Sequence, residues 1–208
     1  MPLRSPGPVR ARAVRAILGL ILVAAIAVSC GGGTHFEPSG PCTTDGRAAG
    51  AYPALEALAP SSFRGRAPDR LDSGRHCTPQ ALATLVAHGV KELRFSGATW
   101  DLGSSSGVTL AVFEAAGLDT AWMREFYEVG ARTARKTESV EVTNVGIPNG
   151  AAGSRIDALN GESYQSVVVW PDGDRVRVAL IASFIREVET KEAHDAVVTE
   201  ALAAAMHP

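Results

Sequence analysis

The sequence predicts an α+β fold, a mostly antiparallel sheet of about five to six strands with helices packed on it. Apolar residues recur with helical spacing in three segments and alternate with polar residues between them, in the order helix, two strands, helix, four strands, helix. Asn160-Gly161, the preferred central pair of a type I′ turn, joins two of those strands. Because short turns join consecutive strands, we expect antiparallel pairing, with helices covering one face of the sheet.

The first helix is predicted to be short, and a β-hairpin follows it. Thr78-Pro79 is typical of an N-cap and a first helical residue, and Gly89 favours a helix end. Residues 92–97 and 108–113 then alternate between apolar and polar side chains, which predicts two strands. The preceding segment, 34–76, is rich in Pro, Gly, Ser and Arg and is expected to be irregular, apart from one or two docked helical turns at 52–58.

The second helix has the strongest helical pattern in the domain. Asp119 is suited to cap its N-terminus, and Trp122, Phe126 and Val129 form one apolar stripe. Basic residues at 132–136 favour the helix C-terminus.

Four more strands and a last helix complete the predicted domain. The strand segments are 140–145, 154–159, 163–170 and 175–182. The final helix begins near Thr190. Its apolar face consists of Val197, Val198, Ala201, Leu202 and Ala205.

The first 29 residues are typical of an export signal. Four arginines precede an apolar run over residues 16–28, which correspond to the charged and apolar regions of a signal peptide. As a helix this run would span roughly 20 Å, short of the ~30 Å hydrocarbon core of a bilayer. A permanent transmembrane helix is therefore disfavoured.

The apolar run ends in Ala27-Val28-Ser29-Cys30, which resembles the lipobox of bacterial lipoproteins, although Ala27 departs from the usual leucine. The resemblance implies that residues 1–29 are cleaved, that Cys30 carries acyl chains such as palmitate, and that the protein is anchored to the cell membrane on its extracytoplasmic face. Residues 30–50 are predicted to be a flexible tether, and residues 51–208 a single domain. The alternative is an ordinary signal peptide, which would leave Cys30 as a free thiol.

The charge of the chain argues against a nucleic-acid partner. The first 29 residues hold four of the 20 basic residues and none of the 22 acidic ones, so 16 basic and 22 acidic residues remain, a net charge of about −6. A mildly acidic domain has no electrostatic footprint for nucleic acid and no basic patch for anionic lipid heads. Membrane contact therefore depends on the lipid at Cys30.

Three cysteines are present, and lipidation of Cys30 would leave Cys42 and Cys77 as an even pair in an oxidising compartment. The favoured interpretation is a disulfide. The alternative is a metal site that uses Cys42, His76 and Cys77, but adjacent residues rarely supply tetrahedral geometry together, and no fourth ligand is evident. The histidines at 35, 88, 194 and 207 are expected at the surface.

Two short motifs suggest chemistry but are better explained as turns. Residues 103–107 match the G-x-S-x-G nucleophile elbow, and Ser105, Asp157 or Asp172, and His194 occur in an order that could complete a triad. The elbow requires a turn from strand into helix, whereas this turn enters a second strand. Asp172 and Asp174 are likewise interpreted as part of a hairpin turn, because the terminal glutamate of a calcium loop is missing.

Aromatic residues at strand ends are the candidates for ligand contact. Trp100 and Trp170 are predicted to rim a small pocket between sheet and helix, whereas Trp122, on the helix stripe, is predicted to be core. The sequence contains no P-loop, dinucleotide fingerprint or paired-cysteine zinc spacing. We therefore expect no cofactor and no metal, and the sequence favours a non-enzymatic protein.

Over residues 90–206, the order of strands and helices is similar to that of the Mog1/PsbP-like sandwich, which also occurs in exported bacterial lipoproteins. Members of that family are mostly binding or assembly factors. The resemblance implies a module that binds a protein or another component of the cell envelope. A carrier of a small apolar ligand is the second hypothesis, and a serine hydrolase is the third.

Overall fold

The computed structural model describes residues 36–188 and 190–207 of the 208-residue chain. The predicted signal peptide and Cys30 lie outside the described residues. The helices within these ranges are α1 (Pro53–Glu56), α2 (Pro79–Leu82), a 3₁₀ helix (Ala83–His88), α3 (Thr120–Thr133), α4 (Ile185–Val188) and α5 (Lys191–Ala204). None of these helices is long and apolar enough to cross a bilayer.

The described strands form a single sheet in which every neighbouring pair is antiparallel. They are β1 (Gly46–Ala48), β2 (Arg70–His76), β3 (Leu93–Gly103), β4 (Ser106–Glu114), β5 (Thr137–Gly146), β6 (Ala152–Asn160), β7 (Ser163–Asp172) and β8 (Arg175–Phe184). Their order across the sheet is β1-β2-β3-β4-β8-β7-β6-β5. The predicted antiparallel sheet with packed helices is confirmed.

The predicted number of strands is wrong, because β1 and β2 extend the sheet to eight strands. β1 has only three residues. β2 carries polar side chains on both faces, so it lacks the alternation that indicates a half-buried strand. Pairing of all seven β2 residues with β3, from Arg70 opposite Thr99 to His76 opposite Leu93, holds this segment in the sheet.

The predicted β6–β7 hairpin is confirmed, but its turn lies one residue later than expected. Asn160 remains in β6, opposite Ser163, and the two turn residues are Gly161 and Glu162. The φ of Gly161 is +58°, the left-handed region that glycine accepts at the first central position of a hairpin turn. The side-chain amide of Asn160 donates to Thr137 Oγ1 at 3.1 Å, which ties the asparagine to β5.

Helices cover both faces of the sheet, not one face as expected. α3 packs against β5, β6 and β7, and α5 packs against β7 and β8 on the opposite face. Both helices begin at caps that the sequence indicates: the Asp119 carboxylate accepts from the Ala121 N–H, and the Thr190 hydroxyl accepts from the Ala193 N–H.

Each face of the sheet has its own apolar core. Beneath α5, the largest members are Trp100 and Trp170, which are 0% and 1% exposed. Beneath α3, Met123 and Tyr127 of the helix pack with Phe113 and other strand residues.

The described part of the predicted tether, residues 36–50, is packed on the sheet. It contains β1, and its first residues surround Arg75, which is 4% exposed. The guanidinium of Arg75 lies 5.7 Å from the ring centroid of Phe36. It donates hydrogen bonds of 2.8–3.2 Å to the backbone carbonyls of Glu37, Pro38, Gly40 and Pro41.

A disulfide joins Cys42 and Cys77, whose Cα atoms are 5.3 Å apart, so the predicted pairing is confirmed. It links the segment before β1 to the residue after β2. Both thiols are used in this bond, so the alternative metal site with His76 loses two of its ligands. In residues 36–188 and 190–207, no three His, Cys, Asp or Glu side chains form a group that could hold a metal ion.

Candidate ligand-binding groove

α3 leaves part of its face of the sheet uncovered. The helix is joined to β5 by a short turn, and it lies over β5, β6 and β7. On the same face, α3 leaves β3 and β4 open, and a groove of about 550 Å³ lies between these strands, α3 and the segment of α2 and the 3₁₀ helix. Small-ligand sites in proteins typically have volumes of about 300–1,000 Å³.

Small side chains form the floor of the groove. Gly97 pairs with Ala111, and Thr99 pairs with Thr109, in the β3–β4 ladder. The hydroxyls of the two threonines lie 3.0 Å apart and hydrogen-bond to each other. The polar atoms of the floor are therefore satisfied within the protein, and the surface offered to a ligand is mainly apolar.

Aromatic side chains form the walls. Phe95 and Phe113 face each other across β3 and β4, with ring centroids 6.2 Å apart, and Phe126 and Tyr127 contribute from α3. Burial raises the pKa of the Tyr127 hydroxyl, so this side chain remains neutral. Val129, on the next part of α3, is exposed at the open side of the groove.

The groove is elongated along the strands. A second hollow of about 360 Å³ shares Arg70, Thr99, Thr109 and Leu180 with the first and extends to Ser105 in the β3–β4 turn. Because the two hollows share these residues, they adjoin along the strands, which suits a long and narrow ligand.

One side of the groove is polar. We call it the β2 rim, and it consists of Arg70, Asp72 and His76 of β2 together with Arg47 of the neighbouring β1. The Asp72 carboxylate lies 3.4 Å from Arg47 Nε and 3.6 Å from Arg70 Nε. Arg47 reaches this position across Gly74, where a Cβ would lie only 2.5 Å from the Arg47 Cβ. Burial lowers the pKa of His76, which keeps its imidazole neutral at neutral pH.

A buried polar network lies on the opposite face, beneath α5. His194 is 1% exposed, and its Nε2 and Nδ1 atoms each lie 2.8 Å from a serine hydroxyl, of Ser166 and Ser183 respectively. Ser166 also donates to Asp157, which pairs with Arg155. The expectation that His194 lies at the surface is wrong, because α5 turns this residue toward the polar positions of β7 and β8.

This network differs from the triad that the sequence could have formed. Ser105 lies in a two-residue turn with Ser104, where both φ angles are positive, and the chain continues directly into β4. The hydroxyl of Ser166 stands between His194 and Asp157, so the carboxylate does not orient the imidazole as a triad requires. The interpretation of residues 103–107 as a hairpin turn is therefore confirmed.

Protonation of His194 is expected to destabilise the fold in acid. Burial, with a contribution from the Arg155 charge, lowers the pKa of His194 from 6.5 to about 4. Below pH about 6.5 the unfolded chain binds a proton that the folded protein excludes until about pH 4. The free energy of unfolding is therefore about 3 kcal/mol higher above pH 6.5 than below pH 4 through this group, and it falls as the pH falls through the window between these two values.

The His194→Gln variant provides the comparison, measured by urea unfolding at a series of pH values. His76 also has a lowered pKa, but it is present in both proteins, so its contribution cancels in the difference. The stability of the wild type relative to the variant should fall across the window. A difference independent of pH would contradict the role assigned to His194.

The tryptophans predicted to contact a ligand lie in the core. Trp100 Nε1 donates to the Arg66 carbonyl at 3.0 Å, and its ring packs against Phe63, with centroids 5.8 Å apart. Trp100 borders the smaller hollow, whereas Trp170 does not line either hollow.

The Asp172 and Asp174 carboxylates lie at the β7–β8 hairpin, as predicted. Asp172 pairs with Arg177 at 2.6 Å, and Asp174 pairs with Arg175 at 3.2 Å. Each carboxylate is therefore matched by an arginine of β8.

Comparison of the sequence with protein-family models finds no matching family. Comparisons with curated proteins and with solved structures also find no match. Function is therefore inferred from the groove.

Proposed function

We propose that this chain is a lipid-anchored protein of the cell envelope that binds a small apolar ligand in the groove between the sheet and α3. The observation that carries the proposal is an open volume of about 550 Å³, with a floor of small residues and aromatic walls. Covering such a surface with an apolar ligand removes it from water and stabilises the complex by about 25 cal/mol per Å² buried. This favours the second of the three functions that the sequence suggested.

Filling the floor should prevent binding. In Thr109→Trp, the indole would occupy the middle of the groove, where the two hollows meet. We expect at least tenfold weaker binding, because crowding a ligand and an indole into one volume costs about 1–3 kcal/mol. The affinity of the full chain for a neutral dye that fluoresces in apolar surroundings measures this effect.

Thr143→Trp is the matched control, because Thr143 is an exposed position on β5, outside the groove. It should bind the dye like the wild type. Equal affinities for all three proteins would show that the dye binds elsewhere and would count against the groove.

The proposed anchor rests on the lipobox resemblance and is tested by the intact mass of the protein extracted from membranes. Free thiols are alkylated before the disulfide is reduced. We expect the mass of residues 30–208 plus acyl chains, with no alkylated cysteine. An intact leader, or alkylation of Cys30, would contradict the anchor.

A protein partner is the second candidate, favoured by the exposed edge of β5. Among the described strands, β5 pairs only with β6, so its other edge offers backbone groups for strand addition. A photoreactive residue at Glu141, exposed on β5, should then capture a reproducible partner in intact membranes. The same residue at Glu192, exposed on α5, is the control, and capture at neither position would argue against this candidate.

A further inference from the structure

The β2 rim has more hydrogen-bond donors than the protein uses. Arg47 and Arg70 share one carboxylate, Asp72, and both contact it through Nε. Among the described residues, no acceptor is hydrogen-bonded to the terminal nitrogens of these two guanidiniums. The Nδ1 atom of His76 is buried and likewise makes no hydrogen bond to the described part of the protein.

The other carboxylate near the rim does not offset this surplus. Asp45 lines the groove, but it accepts hydrogen bonds from the backbone N–H groups of Cys77 and Thr78 at 2.6 and 3.0 Å, and from the Thr78 hydroxyl at 2.6 Å. Its charge is therefore directed at the start of α2. Among the residues that line the first hollow, two cations and one available anion, Asp72, remain beside the apolar floor. Asp101 borders the second hollow and accepts from the Gly103 N–H at 2.8 Å.

The rim lies alongside the floor. Arg70 pairs with Thr99, and Asp72 pairs with Gly97, so the charged side chains occupy the same cross-strand rows as the small residues. Arg70 also borders both hollows. A ligand that begins at this row and extends along the floor of one hollow thus has one end within reach of a guanidinium.

We propose that the groove selects a single-chain amphiphile with a carboxylate head, a long-chain fatty acid, with the carboxylate bound by Arg47 and Arg70 and the alkyl chain along the floor. This inference rests on the proposed function and adds the chemical class of the ligand. Arginine matches the planar geometry of a carboxylate with paired N–H donors. A cationic head would be repelled by the two guanidiniums, and a neutral head would leave one of their two positive charges without a counterpart, because Asp72 balances only one.

The test uses the full chain in phosphatidylcholine vesicles, with two photoreactive probes of equal chain length, a hexadecanoate and a hexadecanol. The pH is kept above the pKa of the fatty acid. At equal probe content, we expect the acid to label the wild type about tenfold or more above the alcohol, with crosslinks on β3 and β4. The double variant Arg47→Gln/Arg70→Gln should lose this preference and keep the labelling by the alcohol, which also shows that its groove is intact.

Arg132→Gln is the matched control, because Arg132 is a half-exposed arginine of α3 that pairs with Glu128 and does not line the groove. It should label like the wild type. If acid and alcohol label the wild type equally, and Thr109→Trp loses both labels, the carboxylate assignment is overturned and apolar binding in the groove stands. Labelling by neither probe on β3 or β4 would overturn both proposals.

Discussion

Replacing Arg75 with methionine is expected to lower the free energy of unfolding by about 3–5 kcal/mol. The guanidinium is almost fully buried and donates to four backbone carbonyls between Glu37 and Pro41. Hydrogen bonds to a charged group are stronger than those between neutral groups, and methionine supplies no donor in their place. The segment from Glu37 to Pro41 would lose these hydrogen bonds to β2.

The measurement is urea unfolding of the variant and of Arg94→Met. Arg94 is opposite Arg75 in the β2–β3 ladder, but it is 44% exposed, and its ion pair with Glu92 is at the surface. We expect the control to lose less than about 1 kcal/mol, since exposed ion pairs contribute little. Equal losses in the two variants would mean that the buried contacts of Arg75 do not stabilise the fold.

Removing the disulfide should have a similar effect. The bond closes a loop with a sequence separation of 35 residues, and the chain-entropy model assigns about 4 kcal/mol to a loop of that length. Cys42→Ser, Cys77→Ser and the double variant should all show this loss in denaturant unfolding, because each of them breaks the same bond. Losses that add between the two single variants would indicate that the cysteines stabilise the protein separately, contrary to the disulfide.

Local signals in the sequence predicted most of the fold. Asp119 and Thr190 cap helices, and hairpins form at the predicted turns or, for β6–β7, one residue later, because these effects depend on neighbouring residues. β2 was missed for a physical reason. Its polar residues are ordered by pairing with β3 and by contacts such as those of Arg75, and neither leaves a periodic pattern in the sequence.

The site was harder to predict, because it depends on which face of the sheet each helix covers. Trp100 and Trp170 end predicted strands, but α5 covers their face and buries both. Gly97 and Ala111 carry no chemical signal, and they form a floor only because strand register places them side by side. Small residues at alternate positions of β3 and β4 are the sequence pattern that could have indicated the groove. This pattern indicates a groove only when the position of α3 is known.

The order of strands has a consequence for folding kinetics. β3 with β4, and β5 through β8, are hairpins between consecutive strands, whereas Gly107 of β4 pairs with Ala182 of β8, more than seventy residues away. Closing that long loop costs conformational entropy before the contacts between β4 and β8 form and offset it. High contact order of this kind slows folding. Pairing of β4 with β8 is therefore expected to limit the folding rate, whereas each half of the sheet assembles from contacts between residues that are closer in the sequence.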